Sequence, residues 1–118
     1  MHPLRVSSRA FEALSANVRA GFEQRLTSFL KLHAPNFRHE QDEAWRGYER
    51  SARKYGLVAE QEIALYVFGC YVLGDDIDRH ETEFLEEVSN NDNVDHRLLL
   101  MEERILAYEL AREMAVRS

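Results

Sequence analysis

Cysteine, proline and glycine are scarce in this chain of 118 residues, which contains one, two and five of them. The single cysteine, Cys70, excludes an internal disulfide and a zinc site built from several cysteines. So few turn-forming residues argue against a β-sandwich or barrel. The longest apolar run, Ile63 to Leu73, is too short for a membrane span of about 20 residues. With no apolar signal stretch at the N-terminus, we expect a cytoplasmic protein.

Acidic residues outnumber basic ones by 21 to 15, which gives a net charge of −6. The excess lies in the second half: residues 1–56 carry ten basic and six acidic side chains, and residues 57–118 carry five and fifteen. Nucleic acids and anionic membranes are negative as well, so we expect neither as a partner. Two interpretations remain: the basic half packs against the acidic half, or the acidic half meets a basic protein partner.

Apolar residues recur every three or four positions along most of the chain, which is typical of amphipathic helices. Five helices are predicted, at about Ser8–His33, Glu40–Tyr55, Ala59–Leu73, Asp78–Val88 and Val94–Ala115. The third is apolar on nearly every side and should be central. The predicted fold class is therefore all-α, a compact bundle of about five helices with a buried apolar third helix, and residues 1–118 are predicted to form a single helical domain.

The predicted helix ends depend on a few residues. Ser8 is the expected N-cap of the first helix, and Asp78 and Glu81 have the spacing of a capping box for the fourth. Gly56 fits the position just after the second helix, where a left-handed conformation costs glycine little, and Leu57 would then fold back onto that helix. Gly74 is expected to end the third helix.

The sequence contains no arrangement that predicts a reaction, a metal site or a cofactor. His80, Glu83 and Glu87 have helical spacing, but HExxH and carboxylate-bridged metal motifs are absent. The neighbours of Cys70 supply no base that would make it a thiolate nucleophile. The tyrosines, Tyr55 and Tyr66 among them, fall at helical spacings and are interpreted as packing residues. We therefore predict no catalytic, cofactor-binding or metal-binding residues.

The most charged stretch, residues 75–87, follows the third predicted helix and is called the acidic segment below. It holds seven carboxylates in thirteen residues, at Asp75, Asp76, Asp78, Glu81, Glu83, Glu86 and Glu87. So many like charges repel one another unless a partner offsets the repulsion. We predict that they bind a basic surface of a protein partner. The competing explanation is internal pairing with a basic stripe on the second helix, formed by Arg46, Arg50, Arg53 and Lys54.

The run RSARKYGLVAEQEIALYVFGCYVLGDDID, preceded by LKLHAP, resembles small helical accessory proteins encoded in bacterial type VI secretion effector clusters. Their pattern joins Ala-Arg-x-Tyr-Gly-hydrophobic to an acidic helix start, a tyrosine-containing apolar helix and Leu-Gly-x-Asp-Phe-Asp. The matching positions here are Ala52, Arg53, Tyr55, Gly56, Leu57, Glu60, Tyr66, Leu73, Gly74, Asp76, Ile77 and Asp78. Ile77 stands where the family has phenylalanine, and Val58 and Ala59 replace the usual Ser/Thr cap.

The resemblance, which spans about Phe11 to Asp78, implies a noncatalytic accessory protein. The first expectation is an immunity protein that binds and occludes a cognate toxin. The alternatives are an effector adaptor or chaperone and, third, a metal-dependent sensor or enzyme. The expected partner is the cognate effector or toxin, or another protein of the secretion module, and a homodimer is left open.

Overall fold

The computed structural model describes residues 19–35, 37–38 and 43–117. Over these ranges the chain forms five α-helices and no strand, which confirms the predicted all-α class. The helices are α1 (Arg19–His33), α2 (Ala44–Lys54), α3 (Glu60–Leu73), α4 (Thr82–Ser89) and α5 (Val94–Arg117), and a 3₁₀ turn (Ile77–Arg79) lies between α3 and α4. The predicted helix starts at Ser8 and Glu40 fall outside the described residues. None of the described helices is both long and apolar enough to cross a bilayer.

Helix α3 lies among several other elements, because its sequence has no polar side from Ile63 onward. Ten of its fourteen residues are buried, and it contacts α1, α2, α5 and the 3₁₀ turn. Each amphipathic neighbour contributes one apolar face to the same core. The buried side chains of these neighbours include Leu26 and Leu30 of α1, Trp45 and Ala52 of α2, and Met101 and Ile105 of α5, and Leu85 of α4 belongs to the same core.

Gly69 allows α3 and α5 to approach each other closely. A Cβ atom at this position would lie 2.8 Å from Cγ1 of Ile105 and 3.1 Å from Cδ1 of Ile77. Carbon atoms prefer separations of about 3.5–4.0 Å, so any side chain at Gly69 would push these neighbours away. The close contact between α3 and α5 therefore requires glycine at position 69.

Helix α2 ends at Lys54 with Tyr55 as its C-cap, and Gly56 takes the left-handed position after the helix, as the sequence predicts. This residue has a φ of +81°, and its N–H donates to the carbonyl of Arg53 at 3.0 Å. The N–H of Leu57 donates to the carbonyl of Ala52 at 3.1 Å. These two bonds define a Schellman motif, and the buried Leu57 side chain returns the chain to the core. Gly74, with a φ of +91°, ends α3 in a left-handed conformation as well.

The predicted capping box at the start of α4 is wrong. Asp78 lies in the 3₁₀ turn, and α4 begins at Thr82, preceded by Glu81, whose side chain caps no backbone N–H. The reason is that both carboxylates accept hydrogen bonds from side chains of other helices. Asp76 caps the 3₁₀ turn instead, by accepting a hydrogen bond from the N–H of Asp78.

Replacing Gly56 with valine should destabilise the protein by about 1–2 kcal/mol or more, because a β-branched residue resists a positive φ. A Cβ at Gly56 would meet no atom within 4 Å, so the backbone conformation alone causes the loss. The measurement is urea unfolding monitored by circular dichroism.

The control for this experiment is Gly47→Ala, within α2. The added Cβ would lie 3.7 Å from Nη2 of Arg50, an ordinary contact, so alanine should stabilise the helix by about 0.5–1 kcal/mol. A Gly56→Val protein as stable as the wild type would show that the end of α2 does not require the left-handed conformation.

Candidate functional site

The acidic segment runs from the end of α3 through the 3₁₀ turn into α4, and the structure divides its carboxylates into two groups. Asp75, Asp76, Asp78 and Glu81 accept hydrogen bonds or ion pairs from side chains of this chain. The other three, Glu83, Glu86 and Glu87, lie exposed on α4. The two groups therefore lie in different environments: the first is held by other side chains, and the second is exposed at the surface.

Asp76 joins α2, α3 and the 3₁₀ turn. Its carboxylate accepts hydrogen bonds from the hydroxyl of Ser51 at 2.5 Å, the hydroxyl of Tyr66 at 2.5 Å and the N–H of Asp78 at 3.1 Å. Burial, together with the bond to Asp76, raises the pKa of the Tyr66 phenol well above its usual value. Tyr66 is therefore a neutral donor at all physiological pH values.

Asp78 is bound to the end of α2 by two donors. The Tyr55 hydroxyl donates to one carboxylate oxygen, and the Lys54 ammonium donates to the other at 3.0 Å. The bond from Tyr55, followed by that from Lys54, holds the pKa of Asp78 below its usual value. Burial and the same bond raise the pKa of Tyr55 to about 12.

Glu81 attaches the segment to α5. The guanidinium of Arg104 donates to one oxygen of Glu81 at 2.9 Å, and the hydroxyl of Tyr108 donates to the other. Burial, with the bond to Glu81, raises the pKa of Tyr108 far above the ordinary range. The same guanidinium lies over the ring of Phe84, 4.4 Å from its centroid, in a cation–π contact.

Three carboxylates of the segment thus accept hydrogen bonds from tyrosines, which the sequence interpretation treated as packing residues or did not connect to the acids. The paired residues are 10, 23 and 27 positions apart in the chain, so no local spacing rule identifies them. The basic stripe on α2 was the predicted internal partner of the acidic segment, and it contributes one ion pair, from Lys54 to Asp78. In that stripe Arg46 pairs with Glu23 and Arg53 with Glu49.

Asp75 interacts within the segment itself. One oxygen of its carboxylate lies 3.0 Å from Nε2 of His80, and the other lies 3.8 Å from Nη1 of Arg79. The hydrogen bond with His80 is the main cause of a lowered pKa at Asp75. His80 precedes α4, so the helical face that His80 would share with Glu83 and Glu87 does not form.

The exposed carboxylates lie on the outer side of α4, opposite the buried side chains of that helix. Beside them is a depression of about 660 Å³ between α4 and α5. Its lining includes Glu81, Glu83, Phe84, Glu87 and Arg104. Carboxylates at the edge of such a depression can accept hydrogen bonds from a lysine or arginine side chain of another protein.

Cys70 lies at the end of α3 beside the Asp76 carboxylate, and it is fully buried. Its sulfur accepts a hydrogen bond from the N–H of Ile77 at 3.4 Å. Burial raises the pKa of the thiol far above its usual value, and the thiol form is a poor nucleophile. Within the described ranges, no three His, Cys, Asp or Glu side chains are grouped so that they could hold a metal ion.

Tyr66→Phe should lower the free energy of unfolding by about 1.5–3 kcal/mol, the range for hydrogen bonds to charged groups. The phenyl ring keeps the packing, but the Asp76 carboxylate loses one hydrogen-bond donor. The N–H of Asp78 also loses an acceptor, the phenol oxygen 3.1 Å away. A double-mutant cycle with Asp76→Asn isolates the pair, and we expect the two effects to be non-additive by more than 0.5 kcal/mol. Additive effects would mean that the bond contributes little.

The pair of Asp78 and Tyr55 should give a defined pH dependence of stability. Because the pKa of Asp78 is lowered on folding, its contribution is present above about pH 4 and is lost as the pH falls through the folded value. Because the pKa of Tyr55 is raised to about 12, its contribution is present below about pH 10 and is lost between 10 and 12.

Urea midpoints measured across the pH range test both statements. Asp78→Asn should flatten the acid side of the profile and Tyr55→Phe the alkaline side, relative to the wild type. Profiles that keep the wild-type slopes would show that other groups cause the dependence.

Comparison with known proteins found no relative of this chain: no family model, no curated protein and no solved structure matches it. A functional proposal therefore depends on the residues described above and on the resemblance of the sequence pattern.

Proposed function

We propose that this chain is a noncatalytic protein-binding accessory of a type VI secretion effector module, an immunity protein that occludes a cognate toxin in the cytoplasm. The observation that carries the proposal is the exposed acidic face of α4, formed by Glu83, Glu86 and Glu87. This face is attached to three other elements through Asp76, Asp78 and Glu81.

The charge of this face suits a basic protein surface. Complementary charges accelerate association and exclude partners of the wrong sign. The long-range electrostatic field of the second half of the chain is negative as well, because residues 57–118 carry fifteen acidic and five basic side chains. A toxin that acts on an anionic substrate such as a nucleic acid presents a surface of this kind, and covering that surface would inhibit it without any chemistry.

The attachment of the segment also favours binding. Side chains of α2, α3 and α5 already fix its backbone through Asp78, Asp76 and Glu81. A surface that is ordered before binding loses less conformational entropy on association. The backbone that leads into the exposed glutamates is therefore held in place before binding.

An effector adaptor or chaperone is the second candidate, and a separate observation favours it. Leu99, Leu106 and Leu110 of α5 are each about half exposed, and a chaperone needs apolar surface to cover a partner segment. Copurification separates the two candidates: an immunity protein binds the isolated toxin domain and stops its activity, whereas an adaptor binds the effector without inhibiting it.

The proposal is tested with the protein encoded by the gene adjacent to the gene of this chain and with the double variant Glu83→Lys/Glu86→Lys. We expect its association rate to fall at least tenfold, most strongly at low salt, while the melting temperature stays near that of the wild type. Surface plasmon resonance gives the rate, and thermal denaturation gives the stability.

The matched control is Glu43→Lys/Asp92→Lys, which changes the net charge equally at two exposed positions outside the acidic segment. We expect a much smaller effect on the association rate. An unchanged rate in the glutamate variant, or a fall of equal size in both variants, would show that the acidic face of α4 is not the contact.

A further inference from the structure

Helix α5 has a second apolar face, on the side away from the core. Leu98, Met101 and Ile105 are buried in the bundle. Leu99, Leu106 and Leu110 are 46%, 56% and 52% exposed. Their spacings of seven and four residues place them on one face of the helix, which we call the outer stripe.

The charges of α5 are divided between the same two sides. On the bundle side, Arg97 donates to Glu62 at 2.6 Å and Arg104 donates to Glu81 at 2.9 Å. On the solvent side, the outer stripe is bordered by exposed carboxylates. They are Asp95, one turn before Leu99, Glu103, between Leu99 and Leu106, and Glu109, beside Leu110.

We propose that the outer stripe is the docking site for a basic amphipathic helix of a partner protein. Apolar side chains of that helix would pack on Leu99, Leu106 and Leu110, and its lysine or arginine side chains would lie toward Glu103 and Glu109. The stripe extends over about 17 Å at 1.5 Å per residue, the length of three helical turns. Helix-to-helix docking by anchors at such spacings is a common mode of peptide recognition.

The bordering charges favour this occupant over a second copy of the chain. Two outer stripes packed against each other would bring the glutamates of both copies together, and like charges across an interface cost several kcal/mol. A basic helix turns the same carboxylates into favourable contacts. The stripe is separate in sequence from the acidic face of α4, so this proposal can fail independently of the immunity role. It rests on the same three leucines as the adaptor candidate and names the kind of segment that they would bind.

The probe is a fluorescein-labelled 18-residue amphipathic helix of leucine and lysine, compared with the same helix in which glutamate replaces lysine. Fluorescence anisotropy with the full-length protein measures the affinity. We expect the lysine helix to bind at least tenfold more tightly than the glutamate helix. Leu106→Ser/Leu110→Ser should weaken lysine-helix binding at least tenfold, and Glu103→Gln/Glu109→Gln should reduce its salt dependence.

Two control variants locate the effect on α5. Leu32→Ser/Val58→Ser removes two apolar side chains that are 79% and 70% exposed elsewhere on the surface, and it should leave the affinity unchanged. Glu83→Gln/Glu86→Gln neutralises the acidic face of α4. Because it removes two negative charges from the long-range field, it should lower the affinity slightly, and far less than the stripe variants do. A loss of binding in either control equal to that of the stripe variants would overturn the proposal.

Three further results would overturn it. The first is unchanged lysine-helix binding by Leu106→Ser/Leu110→Ser. The second is a wild-type dimer in analytical ultracentrifugation that the same variant dissociates, because a second copy would then occupy the stripe. The third is a melting temperature of that variant far below that of Leu32→Ser/Val58→Ser, which would mean that another part of the chain covers the stripe.

Discussion

Burial of α3 is the constraint on which the rest of the structure depends. A helix that is apolar on all sides has no face for water, so the elements around it must each present an apolar stripe. Gly69 sets how closely one of them, α5, can approach. The same burial forces the polar groups at both ends of α3 to find partners inside the protein, because an unpaired buried charge is costly.

The acidic side chain at the N-terminal end of α3 is paired with a cation, whereas the carboxylate just after the C-terminal end accepts its hydrogen bonds from neutral donors. Glu62, which is 2% exposed, is paired with Arg97 at 2.6 Å. Removing one member of such a buried pair typically costs about 3–5 kcal/mol. At the other end, Asp76 receives its hydrogen bonds from the hydroxyls of Ser51 and Tyr66 and from a backbone N–H. These donors satisfy the carboxylate without cancelling its charge.

The neutral donors bear on the two interpretations of the charge asymmetry, internal pairing of the acidic segment and binding of a basic partner. Internal pairing of the acidic segment and binding of a basic partner exclude each other only if the internal partners are cations. Tyr55, Tyr66 and Tyr108 hold Asp78, Asp76 and Glu81 in place, and as neutral donors they cancel none of the negative charge. Lys54 and Arg104 offset the charge of Asp78 and Glu81, so the negative charge that would face a basic partner lies mainly on Glu83, Glu86 and Glu87.

The sequence predicted the parts of the fold that local rules control. Apolar periodicity located the helices, and Gly56 and Gly74 marked the ends of α2 and α3 because both have a positive φ. The start of α4 was predicted wrongly, since the capping-box rule considers only residues three apart and Asp78 is held by Lys54 and Tyr55 at the end of α2. The tyrosine contacts of the candidate site were missed for the same reason: packing of α3 brings together residues that are distant in sequence.

The division of the acidic segment also separates carboxylates that hold the bundle together from carboxylates at its surface. Among the described residues, Asp76, Asp78 and Glu81 have partners on three helices, so substitutions there change the bundle and the surface together. Glu83, Glu86 and Glu87 lie on the solvent side of α4, whose other side is held in the core by Phe84, Leu85 and Val88. Exposed positions away from buried networks usually tolerate substitution within about 0.5 kcal/mol. The chain can therefore vary the face that would meet a partner while it keeps the contacts that position that face.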